Sequence, residues 1–120
     1  MKTGGKGNID HAQVALIDVN EAGLLAVQDE LSQAGYVSRA WVLDLLDRDA
    51  IQTVVADIAS HFGRIDILIN NAGMGITGPI EETPELEIKN AFDINLHGPI
   101  NVIKSVLPQM RKQKSGLIIN

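Results

Sequence analysis

Two aspartates, an asparagine-rich tetrad and one further asparagine are the groups in this chain whose types and spacing could do chemistry. Asp18 closes the apolar run "VALID", and Asp44 closes "YVSRAWVLD". The tetrad "NNAG" (Asn70, Asn71, Ala72, Gly73) directly follows "IDILI", and Asn95 stands four positions before Pro99. A carboxylate at a strand end can accept hydrogen bonds from paired sugar hydroxyls or from an exocyclic amino group. Asparagine side chains can tie neighbouring backbone segments together, while Ala and Gly let a flat ligand approach the main chain. Each group also has a plainer role. Asp18 fits a polar strand end, Asp44 an exposed turn residue, the tetrad a polar turn, and Asn95 a packing kink.

What separates these roles is where the chain places the groups. "VALID" (Val14 to Asp18) has the continuous apolar character of a buried strand. Asn20 suits an N-cap, Leu24, Val27, Leu31 and Ala34 recur at helical spacing, and Gly35 suits the stop. A second strand runs to about Asp44. Asp47 can cap a second helix whose apolar stripe is Ile51, Val54, Val55, Ile58, Ala59 and Phe62, ended by Gly63. "IDILIN" is a third strand, apolar on both faces. Thr83 is a candidate cap and Pro84 a candidate first helical residue. A long helical pattern then reaches Lys114, with Ile100, Ile103, Leu107 and Met110 on one stripe. "SGLIIN" opens a fourth strand. Strand and helix alternate, so the expected fold is α/β: a doubly wound parallel sheet with right-handed crossovers and helices on both faces.

In such a sheet, ligands bind at the carboxyl ends of the strands. Asp18 then lies where it could hold the two hydroxyls of an adenosine ribose, and Asp44 where it could accept the adenine amino group. A 2′-phosphate beside Asp18 would be repelled by about 3 kcal/mol at ~5 Å and an effective dielectric of ~20, less where water intervenes. That favours NAD over NADP. Asn95 has its own backbone logic. Pro99 lacks the N–H that the Asn95 carbonyl would meet in an α-helix, so the carbonyl is expected to be free for a water and the helix to bend.

Composition excludes other classes. The chain has 120 residues, a net charge of −5, 45% hydrophobic and 3% aromatic residues, and no cysteine. Its core must be aliphatic, and disulfides and thiolate metal sites are ruled out. The acidic balance argues against nucleic acid and anionic membranes as partners. No apolar run approaches the ~20 residues of a membrane span, and a reducing cytoplasm is compatible. His11, His61 and His97 lack metal-ligand spacing, so no metal site is expected. Arg111 to Lys114 fits the last turn of a solvated helix, where cations complement the dipole.

The ordered set "ALIDVN", "LDLLD", "IDILINNAG", "INLHGP", "LPQM" and "SGLIIN" resembles the short-chain dehydrogenase/reductase family from Val14 to Asn120. The resemblance implies a nicotinamide dinucleotide as ligand. Asp18 would hold the adenosine ribose, Asp44 and Leu45 would flank the adenine, and Asn70, Asn71, Ala72 and Gly73 would support the sheet and line the cofactor. Asn95 would match the asparagine of the family's Asn-Ser-Tyr-Lys set, its carbonyl holding a water in the proton relay.

The sequence also departs from the family. A phosphate-cradling glycine loop lies between a strand and a helix. Here "TGGKGNID" (Thr3 to Asp10) has only Met1 and Lys2 before it, Asn8 and Asp10 stand at later glycine positions, and "VALID" follows at once. The family's Ser and Tyr-x-x-x-Lys are absent, since Tyr36 is followed four positions on by Ala40. Residues 1–120 are therefore expected to form one incomplete NAD(P)-binding Rossmann domain, truncated at both ends. Its first strand and first helix would be missing, NAD binding weak, and the chain alone without dehydrogenase activity. The alternative is a non-catalytic nucleotide-binding or protein-interaction remnant, with homo-oligomer formation through the Pro84–Lys114 helix. In the expected strand order 3-2-1-4-5, loss of strand one leaves three outcomes: closure of strand two onto strand four, a strand from another chain, or marginal stability.

Overall fold

The computed structural model describes Lys2, Thr3 and residues 12–120. The chain forms β1 (Lys2–Thr3), β2 (Gln13–Asp18), α1 (Glu21–Gln33), β3 (Val37–Val42), α2 (Arg48–Phe62) and β4 (Ile67–Ile69). A 3-10 turn (Ile80–Glu82), α3 (Glu85–Phe92), a π-helical segment (Asp93–His97), α4 (Gly98–Gln113) and β5 (Leu117–Ile119) follow. The five strands make one sheet in the order β3-β2-β1-β4-β5. β2 pairs with β3 in parallel over six residues, from Gln13 opposite Val37 to Asp18 opposite Val42. β4 pairs with β5 in parallel.

The central position of the sheet holds a short strand of this same chain. The two-residue β1 lies there antiparallel to both neighbours, Lys2 opposite Val14 and Ile67, and Thr3 opposite Gln13. The expectation of an all-parallel sheet is corrected at this strand. Lys2 bridges both halves at one level, which holds β2 and β4 two strand spacings apart. The rest of the glycine-rich run, Gly4 to Asp10, lies outside the described residues.

Each helix starts and stops for a local reason. Asn20 caps α1 through its side chain, which accepts the Gly23 N–H at 3.0 Å. Asp47 caps α2 in the same way, accepting the Ala50 N–H at 3.0 Å. Gly63 ends α2 at φ +80°, a left-handed conformation that glycine adopts without strain. Thr83 does not cap α3: its hydroxyl donates to the Pro79 carbonyl, closing the 3-10 turn. Pro84 stands one residue outside α3, and its carbonyl accepts the Glu87 and Ile88 N–H groups.

The order of strand placement reverses after β3, since β2 to β3 steps one way across the sheet and β3 to β4 steps back past β2. With right-handed crossovers this puts α1 on one face and α2 and α4 on the other. The core lies under α2 and α4: Ala15, Ile65 and Leu68 from the sheet side, Ile51, Val55 and Ile58 from α2, and Val102, Val106 and Met110 from α4. The expected α2 stripe is the one observed, with Val54, Ala59 and Phe62 packed at its margins. On α4 the stripe differs. The buried residues are Gly98, Val102, Val106 and Met110, while Ile100 is exposed. Gly98 sets this phase, because a Cβ there would come within 2.9 Å of Leu45 Cβ. A glycine carries no apolar signal, so its place on the buried row was invisible to the pattern.

Candidate functional site

The carboxyl ends of β2, β3 and β4 open into a cleft of about 670 Å³. Asp18, Asp44, Leu45, Asn70, Asn71, Ala72 and Gly73 all line it. The parallel register explains the convergence. β2 and β3 end together, with the Leu43 N–H donating to the Asp18 carbonyl at 3.0 Å, and β4 ends at Ile69 beyond the central position.

Asp18 is anchored in its own turn. Its Oδ1 accepts the Val19 N–H at 2.7 Å and the Asn20 N–H at 3.3 Å. The carboxylate thus has one oxygen fixed by backbone donors, while the residue remains exposed at the cleft rim. Asp44 is held similarly, Oδ1 accepting the Leu46 N–H at 2.9 Å. Both acids are acceptors, presented by tight turns rather than by long side-chain reach. That arrangement suits recognition of neutral hydroxyl or amino donors and opposes an anion.

The tetrad ties the sheet and then leaves it. The Asn70 N–H donates to the Ile119 carbonyl at 2.8 Å, and its side-chain Nδ2 donates to Asn120 Oδ1 at 3.0 Å. Both bonds fasten the end of β4 to β5. Asn71, Ala72 and Gly73 then run along the cleft without regular structure.

Asn95 occupies the π-helical segment and is not on the cleft wall; its neighbours Ile94 and Pro99 are. Its side chain holds the tetrad loop instead. Oδ1 accepts the Met74 N–H at 2.7 Å and Nδ2 donates to the Met74 carbonyl at 2.7 Å. A Cβ on Gly73 would come within 3.1 Å of the same Oδ1, so glycine gives this clamp its room. The backbone around Asn95 widens to the π form, with the Gly98 N–H reaching back five residues to the Asp93 carbonyl. A prolyl nitrogen at position 99 interrupts the α ladder, and the slipped register accommodates it.

The rest of the wall is apolar and was not singled out by the sequence: Leu16, Ile17, Val19, Leu43, Leu68, Ile69, Met74, Ile94, Pro99 and Val102. Proximity to a strand's carboxyl end was the available signal for Leu16, Ile17 and Ile69. Nothing in the linear pattern pointed to Met74. Among the described residues, no three His, Asp or Glu side chains gather as a metal cage. No helix among them is long and apolar enough to cross a membrane. His11 lies outside the described residues. His61 packs in the last turn of α2, its Nδ1 2.8 Å from an Arg39 guanidinium nitrogen.

The family model described as short chain dehydrogenase matches residues 9–120. The chain is 36% identical over 112 residues to the diacetyl reductase [(S)-acetoin forming] of Staphylococcus epidermidis, covering 92% of this chain and 44% of that protein. It is 44% identical over 82 residues to the 3-ketodihydrosphingosine reductase of Bacteroides thetaiotaomicron, covering 68% of this chain and 30% of that one. Among solved structures, NAD+-bound xylitol dehydrogenase superposes with a TM-score of 0.84 at 32% identity, covering 88% of this chain and 41% of the other. A metagenomic short-chain oxidoreductase in complex with NADP gives 0.85 at 32% identity, covering 90% and 49%. The chain thus spans less than half the length of each of these relatives.

Proposed function

Because the chain belongs to the short-chain dehydrogenase family, we propose that its cleft binds a nicotinamide dinucleotide through the adenosine half. The observation that carries this reading is the convergence of Asp18, Asp44, Leu45 and the Asn70–Gly73 tetrad on one cleft at the sheet's carboxyl edge. Asp18 would hold the ribose diol, and Asp44 with Leu45 would flank the adenine. Asn71, Ala72 and Gly73 would lie along the cofactor, with Asn70 securing the sheet beneath. NAD is preferred to NADP, because a 2′-phosphate would meet the Asp18 carboxylate.

When bound, the dinucleotide supplies hydride chemistry between an alcohol and a carbonyl. The family reaction also needs a proton donor for the developing alkoxide. These 120 residues hold no Tyr-x-x-x-Lys. We assign them cofactor binding, positioning by Asn95 and no turnover by themselves. Asn95 would act through its carbonyl, holding a water of the proton relay. Residues 1–120 make up one incomplete NAD(P)-binding domain. Asn8 and Asp10 where the family carries glycines make binding weak, and the absence of cysteine fits a cytoplasmic setting.

A second reading, a non-catalytic nucleotide-binding or interaction remnant, is favoured by one observation. Leu86, Phe92, Leu96 and Ile100 are exposed along α3, the π segment and α4. They give the Pro84–Lys114 region an apolar face on which two copies could associate. Titrating the purified chain with NADH, followed by cofactor fluorescence and by sedimentation, separates the readings. Saturable binding that Asp18→Ala weakens supports the first. Concentration-dependent dimers without NADH binding support the second.

A further inference from the structure

A second concavity of about 400 Å³ lies in the furrow between α2 and α4 and shares no lining residue with the cleft. β2 and β4 both run antiparallel to β1, and β3 and β5 run parallel to them, so these four strands share one direction. The crossover helices α2 and α4 therefore run parallel to each other and begin at the same end of the sheet. Leu45 lies against Gly98, and Arg48 and Asn101 stand equally far beyond these two residues. Arg48 and Gln52 on α2 thus come about level with Asn101 and Ser105 on α4, with Lys104 in the same turn.

The charged residues lining this furrow are Arg48 and Lys104, both cations, and no Asp or Glu lines it. Among the described residues neither cation has an ion-pair or side-chain hydrogen-bond partner, and the Gln52 and Asn101 carboxamides have none either. Asp44, Asp47 and Asp49 line a separate cleft that Arg48 and Gln52 also border. Asp44 and Asp47 each direct one oxygen to a backbone N–H there, from Leu46 and Ala50. In a chain of net charge −5, four donor side chains from two helices therefore line one space that holds no carboxylate. A guanidinium fork and an ammonium together suit a carboxylate or phosphate oxyanion, and the positive dipole ends of both helices lie at this end. Toward the helix C-termini the furrow turns apolar. Val55 is buried at its floor, and Ala56, Ala59 and Pro108 border it with small or compact side chains. From Arg48 to Ala59 it runs about 16 Å, at ~1.5 Å per helical residue.

We propose that this furrow binds a small amphiphilic anion. Its head, a carboxylate or a phosphate monoester, is held by Arg48 and Lys104, with Gln52 and Asn101 donating beside them. Its unbranched alkyl tail lies over Val55, Ala56 and Ala59, along Pro108. The charge selects the head and the apolar end selects the tail, so neither an inorganic ion nor a neutral alcohol satisfies both. The site stands apart from the cofactor cleft, and its occupancy does not depend on a dinucleotide.

The probes are octyl phosphate and octanoate, each below its micelle-forming concentration, titrated into the isotopically labelled full chain and followed by NMR. Saturable shifts centred on the Gln52, Ala56, Lys104 and Ser105 amides support the proposal, and the tighter probe identifies the head group. Arg48→Gln and Lys104→Gln, both at exposed positions, should each weaken binding by about threefold to fivefold, as loss of an exposed charge pair does. Raised salt should weaken it in the wild type. Ala56→Phe fills the path of the tail and should weaken both probes, while the dispersed spectrum of each variant verifies its fold. Absence of saturable shifts at millimolar probe overturns the proposal, as does unchanged affinity in the Arg48→Gln, Lys104→Gln double variant. Octan-1-ol binding as tightly as octanoate removes the charge from recognition, and inorganic phosphate binding as tightly as octyl phosphate removes the tail; either result overturns it. Shifts centred on Leu16 and Met74 place the probe in the cleft, and shifts at the furrow amides with protein concentration alone assign the furrow to a second copy. Both outcomes also overturn it.

Discussion

The carboxamide of Asn95 holds both backbone groups of Met74, accepting its N–H and donating to its carbonyl, each at 2.7 Å. This pair of bonds joins the π-helical segment to the loop that follows Gly73, two elements 21 residues apart in sequence. Helix position and loop position are therefore linked, and the cleft's tetrad side is set from below by one side chain. Asn95→Ala removes both bonds at an exposed site. The expected cost is about 1 kcal/mol of stability, with a larger effect on NADH affinity than on the urea midpoint. Asn95→Asp keeps the acceptor but sets a carboxylate against the Met74 carbonyl, so it weakens NADH binding more than its size suggests. Equal affinity across wild type, Asn95→Ala and Asn95→Asp would remove the clamp from the binding machinery.

Asp18 sets the second expectation, on cofactor choice. Its Oδ1 is held by two backbone N–H groups, so the carboxylate cannot swing away from a ligand without losing them. The wild-type chain should bind NADH at least about tenfold more tightly than NADPH, given the repulsion of like charges at the rim. Asp18→Ser removes the charge while retaining an acceptor. It should narrow the ratio mainly by improving NADPH affinity, and raising salt should narrow it in the wild type as well. Paired titrations at two ionic strengths measure this directly. A ratio unmoved by either change means the adenosine lies elsewhere.

Gly98 and Leu45 make a third test. A methyl group at position 98 would meet Leu45 Cβ at 2.9 Å and the Asp93 carbonyl at 3.2 Å, and neither atom is the far end of a flexible side chain. Gly98→Ala should therefore destabilise by about 1–3 kcal/mol, as overpacking does, and displace the wall residue Leu45. In a Leu45→Gly background part of that cost should disappear, since one of the two clashing atoms is gone. A double-mutant cycle by urea unfolding gives the coupling. Strict additivity would mean that the two residues do not touch in solution.

Much of this architecture was legible in the sequence because its signals were local. Asn20, Asp47 and Gly63 announce helix ends by side-chain or backbone chemistry that needs no tertiary partner, and the α2 stripe is written in consecutive turns. The aspartates and the asparagine tetrad were legible through their positions at strand ends. The failures were tertiary. A two-residue antiparallel strand has no periodicity to detect, so Lys2–Thr3 could not be read as the sheet's centre. The α4 stripe was read from apolar residues alone, whereas the helix turns its Gly98 row inward because only glycine lets it approach Leu45. Thr83 has the chemistry of a cap, but its hydroxyl is engaged with Pro79 four residues back.

Gln113 also escaped the pattern, reading as one member of a solvated basic turn, and it yields the last prediction. Its Oε1 accepts the Ile65 N–H at 2.9 Å and its Nε2 donates to the Ile65 carbonyl at 2.7 Å. Gln109 donates to the same Oε1 at 2.9 Å, fixing the amide's orientation from one turn earlier. Ile65 is 0% exposed, so its backbone groups have no ready water to replace a lost partner. Gln113→Ala should cost about 1–3 kcal/mol, the range for leaving a buried polar group unpaired. Gln113→Glu keeps the acceptor for the Ile65 N–H but turns a donor into a charged acceptor facing a carbonyl. It should be at least as damaging as alanine at neutral pH and recover on acidification, when the protonated acid can donate again. Chemical unfolding of both variants at two pH values decides it. A Gln113→Glu chain as stable as wild type at neutral pH would show that the end of α4 does not anchor the start of β4.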